Sequence, residues 1–241
     1  MSSEVNEETD PPLESDSAQN RGHWWGVIGL VFFGWVVVQF VGSLAFVSIA
    51  DGRDFSELSG TEVFWVTIPF QASLGVAALA IANWSGSAFD LVRLREWRLT
   101  DIPLGLLVGL AMQFGIGIIY LFYVDLIGRD ADAASDLVEQ FSGTEIVLLF
   151  ITAGVVAPVV EELFFRGVLQ GALERLTRPW LAVAVAATVF AASHFQLVEL
   201  LGLLLFALLV GYLVRRTGRL SFAIFTHIGF NLTSLTALLF L

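Results

Sequence analysis

The sequence contains no cysteine and no lysine, and only 15% of its residues are charged. The absence of cysteine excludes a small secreted scaffold held together by disulfide bonds. The shortage of positive charge, with a net charge of −11, argues against nucleic-acid binding, which requires a basic surface. Hydrophobic residues make up 56% of the chain, compared with about 45–50% in an average soluble protein. The composition therefore predicts a helical protein that crosses the membrane several times.

Much of the negative charge lies before the first apolar run. Residues 1–22 contain six acidic side chains, two prolines and several serines, and Arg21 is their only basic neighbour. Such a segment buries too little apolar surface to offset the entropy that it loses on ordering. We therefore expect residues 1–22 to form a disordered acidic tail.

Seven apolar segments approach the length of about 20 residues that a helix needs to cross the hydrocarbon core of a bilayer. The sequence therefore predicts an all-α, polytopic transmembrane helix bundle of about seven spans. Four glycines in the third span, Gly105, Gly109, Gly115 and Gly117, indicate close packing against a neighbouring helix. The predicted spans are Trp24–Ala50, Val63–Phe89, Ile102–Val124, Ile146 to about Leu173, Pro179–Val198, Leu200–Val214 and Leu220–Leu241.

The arginine distribution predicts the orientation of these spans. Nine arginines lie in the tail or in alternate loops, whereas only Arg53 and Arg129 lie in the intervening loops. Because arginine-rich loops stay in the cytoplasm, we expect the N-terminus inside and the C-terminus outside a plasma (inner) membrane. The nine are Arg21, Arg93, Arg95, Arg98, Arg175, Arg178, Arg215, Arg216 and Arg219.

Three places in the second half of the sequence interrupt the apolar pattern with polar or charged groups. These groups are Glu161, Glu162, Arg166, His194, His227 and Asn231. A charge at membrane depth costs at least ~2.5–3.5 kcal/mol, so such residues usually face a partner or a water-filled cavity. The helical rise places Glu161 and His194 about 21 Å from the cytoplasmic ends of their spans. His227 and Asn231 lie about 12 and 18 Å from theirs, so we expect one common cavity.

Helical spacing predicts which of these groups are paired. Glu162 and Arg166 are four residues apart and share one face, which leaves Glu161 as the unpaired carboxylate. A carboxylate and imidazoles in a poorly solvated site can activate water for amide hydrolysis, with a second imidazole and a carboxamide donating to the oxyanion. Glutamate and histidine also bind zinc, and residue types alone do not separate the two possibilities.

The three motifs, in this order, resemble those of the CPBP intramembrane proteases, also called the Abi or CAAX-processing protease family. The matching segments are Glu-Glu-x-x-x-Arg at 161–166, Phe-x-x-x-His at 190–194 and His-x-x-x-Asn at 227–231. The resemblance covers about residues 142–241, which it identifies as the catalytic transmembrane core. Residues 23–141 remain as three N-terminal spans and their loops.

The resemblance implies an intramembrane endopeptidase that cuts a membrane-associated or lipidated peptide or protein. It implies that Glu161 and His194 activate the attacking water, and that His227 and Asn231 form the oxyanion site. It further implies a glutamate-type mechanism without a metal, the alternative being zinc held by Glu161, His194 and His227. We also expect the cavity to open toward the cytoplasm. The supporting residues in this interpretation are Glu162, Arg166 and Phe190.

Two functions without peptide hydrolysis also fit the sequence. One is a non-catalytic membrane scaffold or bacteriocin self-immunity protein that sequesters a peptide. The other is a transporter, because buried glutamate and histidine can relay protons, although the sequence shows no inverted repeat.

Overall fold

The computed structural model describes residues 13–86, 96–127 and 141–240, which form seven helices, one short 3₁₀ turn and no β-strand. The predicted all-α, polytopic membrane bundle is confirmed. Six of the seven helices are long and apolar enough to span a bilayer, and α5 is shorter. The helices are α1 (Leu13–Ala50), α2 (Gly60–Trp84), α3 (Asp101–Ile127), α4 (Thr144–Leu176), α5 (Pro179–Ala192), α6 (Leu200–Thr217) and α7 (Leu220–Phe240).

Successive helices run in opposite directions, which gives the bundle two chemically different ends. The basic end contains the connections from α2 to α3, α4 to α5 and α6 to α7, with the described arginines Arg98, Arg175, Arg178, Arg215, Arg216 and Arg219. The acidic end contains residues 51–59, the starts of α2 and α4, and the connection from α5 to α6. Its described acidic residues are Asp51, Asp54, Glu57, Glu62, Glu145 and Glu199. Arg93, Arg95 and Arg129 lie outside the described residues.

The first helix begins before the first predicted span. Residues 13–22, which composition predicts to be disordered, form the first turns of α1. Once a helix has nucleated, each further residue adds one backbone hydrogen bond, so the long apolar run that follows favours this extension. The rest of the predicted tail, residues 1–12, lies outside the described residues.

The fifth helix is shorter than the predicted span Pro179–Val198. It has 14 residues, which cover about 21 Å, and it ends at Ala192. Phe195 then adopts a φ of 54°, a left-handed conformation that a right-handed helix does not continue through. His194 therefore lies just beyond the end of α5, and its predicted place inside a continuous helix is wrong.

The fourth helix contains two stretches of π-helix, Thr152–Val156 and Glu162–Gln170. Such stretches are rare, and they frequently occur at functional sites. A π-helix has wider turns than an α-helix. Each backbone N–H group therefore bonds to a different carbonyl group, and successive side chains point in different directions. Both stretches lie next to the polar residues that the sequence singles out.

Two glycines allow α7, the helix with the third motif, to pack closely against α3. A Cβ atom at Gly105 would lie 2.7 Å from the side chain of Phe225, and one at Gly109 would overlap the backbone of α7. The predicted packing role is therefore confirmed for these two residues. At Gly115 and Gly117 no atom of the described residues lies within 4 Å of the Cβ position, so this part of the structure shows no such packing there.

A buried polar contact fixes the beginning of α7 at the basic end. Asp101, the first residue of α3, is fully buried and accepts a hydrogen bond of 2.5 Å from the Ser221 hydroxyl. The Nε of Arg219 lies 3.1 Å from the same carboxylate. A buried charge is stable only when it is paired, so this contact ties α7 to α3.

Candidate active site

A cavity of about 500 Å³ lies between α2, α4, α5, α6 and α7. This volume is within the range of about 300–1,000 Å³ that is typical of ligand sites. Residues from each of the three motifs line the cavity, as their matching depth predicts. The motif residues in its wall are Glu161, Phe190, His194, His227 and Asn231.

His227 lies between the two adjacent carboxylates of α4. Its Nδ1 is 3.0 Å from Oε1 of Glu162, and its Nε2 is 3.9 Å from Oε2 of Glu161. Because a carboxylate accepts hydrogen bonds, Nδ1 of His227 carries a proton and donates to Glu162. Glu162 is fully buried, whereas the Glu161 side chain is 14% exposed. Glu161 is therefore the carboxylate that water in the cavity reaches.

Arg166 supports this arrangement from outside the cavity wall. Its Nε lies 3.6 Å from Oε2 of Glu162, so the structure contains the pair that helical spacing predicts. The guanidinium also lies over the ring of Phe190, 4.6 Å from the ring centroid. Phe190 in turn contacts His194, with ring centroids 4.7 Å apart. The cation thus contacts both the buried carboxylate and the aromatic support of a predicted catalytic residue.

The imidazole of His194 has a defined orientation although the residue follows the end of α5. Its Nδ1 lies 2.8 Å from the carbonyl oxygen of Phe190. A carbonyl oxygen only accepts, so Nδ1 donates, and Nε2 is the acceptor nitrogen of the neutral ring. Among the described residues, no hydrogen bond or ion pair joins His194 to Glu161. The two residues share the cavity and also line a second, smaller one.

Asn231 makes a structural contact as well as lining the cavity. Its Nδ2 donates a hydrogen bond of 2.8 Å to the carbonyl oxygen of Ala153, which lies in the first π-helical stretch of α4. This bond joins α7 to α4 one helical turn beyond His227. An amide nitrogen has two hydrogens, so one donor remains for a second partner.

The cavity extends from Glu161 toward the acidic end of the bundle. Its wall uses the first half of α2, the first half of α4 and the second half of α7, and these three segments lie on the acidic side of Glu161 and His227. If the arginine-rich loops lie in the cytoplasm, as the sequence predicts, the cavity lies toward the opposite side, so the expected cytoplasmic opening stays a prediction that depends on the orientation. Glu161, His227 and Asn231 lie near the middle of their helices, and for this reason their depth does not predict which end opens.

The cavity wall also contains amide and carboxyl side chains that belong to none of the motifs: Gln71 on α2, and Gln196 and Glu199 in the connection before α6. Gln71 interrupts an apolar run, and this interruption is the signal that was available in the sequence. Burial raises the pKa of the Glu199 carboxyl, and the neighbouring His194 offsets part of this increase. Glu199 lies at the acidic end, where the wall of the cavity meets α6.

The alternative zinc set, Glu161, His194 and His227, does not fit a metal ion in this arrangement. A catalytic zinc needs three protein ligands within about 2.0–2.2 Å of one point. In residues 13–86, 96–127 and 141–240, no group of three histidine, cysteine, aspartate or glutamate side chains is close enough to hold a metal. Metal independence itself stays a prediction.

Comparison with known proteins gives matches to membrane peptidases. Residues 143–233 match the family model described as "Type II CAAX prenyl endopeptidase Rce1-like". Over 223 residues the chain is 25% identical to the "Putative membrane peptidase YdiL" of Bacillus subtilis (strain 168), covering 88% of this chain and 87% of that relative. No solved structure matches the chain. Residues 143–233, which contain all three motifs, are thus similar to type II CAAX prenyl endopeptidases of the Rce1-like kind.

Proposed function

We propose that this protein is an intramembrane endopeptidase that hydrolyses a peptide bond of a membrane-associated or lipidated peptide or protein. The observation that carries the proposal is the shared cavity, in which an accessible carboxylate, two imidazoles and a carboxamide come from three separate motifs. Groups of this kind are rare within a membrane, and they usually mark a functional site. The match to Rce1-like endopeptidases supports the same reaction class.

In the proposed reaction, Glu161 acts as the general base. The attacking water donates one hydrogen to the Glu161 carboxylate and the other to Nε2 of His194, which is the free acceptor of that ring. The water oxygen then bonds to the carbonyl carbon of the substrate while its proton moves to Glu161. When the carbon–nitrogen bond breaks, the same proton passes to the leaving amine.

His227 and Asn231 stabilise the oxyanion in this mechanism. An oxyanion needs a hydrogen donor, so in this mechanism His227 carries a hydrogen on each ring nitrogen. Protonated His227 keeps its Nδ1 bond to Glu162 and directs its Nε2 hydrogen into the cavity. The second Nδ2 hydrogen of Asn231 is the other donor. Fixed donors in a site with little water stabilise a developing oxyanion strongly.

The arginine distribution and the position of the cavity together predict where the substrate enters. With the basic end in the cytoplasm, the protein lies in the plasma (inner) membrane with its N-terminus inside and its C-terminus outside. The cavity then opens toward the outer side. We therefore infer that the substrate reaches the site from the outer leaflet or from the space beyond it.

The test compares peptide termini in membranes of cells that produce the wild-type protein or the Glu161→Gln variant. We expect a set of new termini that is present with wild-type protein and lost with Glu161→Gln, because an amide cannot act as the base. Glu145→Gln is a matched control, since Glu145 lies on the same helix and does not line the cavity.

The result has a clear alternative. If Glu161→Gln produces the same termini and the same phenotype as wild type, the protein is a scaffold or immunity protein and the hydrolytic proposal is wrong. Equal membrane insertion and thermal stability of the two variants exclude loss of folding as the explanation.

A further inference from the structure

Gln71 is a polar side chain in the cavity wall that belongs to none of the three motifs. It lies in the middle of α2, outside residues 143–233, and only 9% of its surface is exposed. It lines the same cavity as Glu161, and its amide lies near that carboxylate. A helix N-terminal to the matched segment thus contributes a polar side chain to the cavity wall beside the proposed base.

The oxygen of the Gln71 amide is buried and unsatisfied within the described part of the chain. This atom, Oε1, has no hydrogen-bond partner among the described residues and no contact with solvent. A buried acceptor without a donor is costly, and native proteins contain few of them. An extended peptide that enters a cavity with little water carries backbone N–H groups that need acceptors. The unpaired oxygen and the entering peptide are therefore complementary.

We propose that Gln71 is a positioning residue of the peptidase reaction, whose N–H group orients the Glu161 carboxylate and whose Oε1 accepts a backbone N–H of the bound peptide. This inference rests on the proposed function, since it assigns a role in the same site. It adds a polar contact from α2 to a mechanism whose other groups all lie in α4, α7 and the end of α5.

Gln170 provides a matched control for the test. It is also a fully buried glutamine with an unpaired Oε1, but it does not line the cavity. Its Nε2 instead donates to the carbonyl oxygen of Gly211 at 3.2 Å and to Glu174 at 3.0 Å. A methionine at either position keeps the length of the side chain and removes the amide.

The first measurement requires no substrate. Infrared spectra are recorded of the full-length protein in lipid vesicles. The carboxyl band of Glu161 is the band that disappears when the spectrum of wild-type protein is compared with that of the Glu161→Gln variant. We expect Gln71→Met to shift this band, because the carboxyl group loses the amide that lies near it. Gln170→Met is expected to leave the band in place. An unchanged band in Gln71→Met overturns the inference.

The second measurement uses a peptide whose new terminus depends on Glu161. We expect Gln71→Met to lower kcat/KM about 10- to 100-fold, the range for loss of a hydrogen bond to a charged group. Most of this loss is expected in kcat, with a smaller increase in KM from the lost peptide contact. Gln170→Met serves as the control for a general effect of removing a buried amide.

Each result has a defined meaning. A shifted band with unchanged kcat and KM overturns the positioning role. A loss of activity that follows a loss of folded protein, with the Glu161 band unchanged, indicates a structural residue and also overturns it. If wild-type protein yields no Glu161-dependent product, the proposed function fails, and the infrared band still decides whether Gln71 contacts Glu161.

Discussion

The buried pair of Glu162 and Arg166 gives a stability prediction that does not depend on catalysis. Both side chains are fully buried, so Arg166→Met removes the arginine cation that is paired with the Glu162 carboxylate. Removing one partner of a buried pair costs about 3–5 kcal/mol. Since 1 kcal/mol corresponds to roughly 2–4 °C in a chain of this size, we expect the Tm to fall by about 6–20 °C. Thermal unfolding in detergent, followed by tryptophan fluorescence, measures this change.

Two further variants make this prediction specific. The double variant Glu162→Gln with Arg166→Met removes both charges, and the new amide oxygen still accepts from Nδ1 of His227. We expect it to be more stable than Arg166→Met alone, because no unpaired charge remains buried. Arg53→Met is the control, since Arg53 and Glu62 form a partly exposed pair and such pairs contribute little. A Tm for Arg166→Met within 1–2 °C of wild type, roughly the effect of a minor surface change, would refute the reasoning.

The remaining predictions concern metal dependence and orientation. Because the described carboxylates and imidazoles form no three-ligand site, we expect cleavage to survive treatment with a strong chelator. Loss of activity that added zinc restores would contradict this expectation. The absence of cysteine makes single-cysteine labelling straightforward. In intact cells, a membrane-impermeant maleimide should label Ser142→Cys at the acidic end and leave Leu99→Cys at the basic end unmodified, and the reverse pattern would invert the proposed topology.

The sequence predicts those parts of the structure that follow from helical periodicity. The pairing of Glu162 with Arg166 and the meeting of Glu161 with His227 require only that the chain be helical and of known depth. The all-α bundle follows in the same way from the length of the apolar runs. These features depend on local spacing, and local spacing is present in a single sequence.

Other features depend on tertiary contacts that no single segment specifies. Residues 193–198 are uncharged, and their sequence predicts a continuation of α5. The helix nevertheless ends at Ala192, and the left-handed backbone at Phe195 is incompatible with its continuation. Gly115 looks like Gly109 in sequence, but within the described part of the chain Gly109 contacts another helix and Gly115 does not. Gln71 and Glu161 share the cavity wall although they are 90 positions apart, so no short motif contains both.

The division of the cavity wall between α2 and the family-matched segment has a consequence for protein engineering. A chimera that transplants residues 143–233 into a relative would carry the acid and imidazole groups. The relative's own α2 would then form one side of the cavity wall around them. Retaining the donor's chemistry would require grafting α2 as well, as a second and separate insert. The smallest unit that can be exchanged between relatives therefore consists of two separate stretches of the gene, although the three motifs lie within one continuous segment.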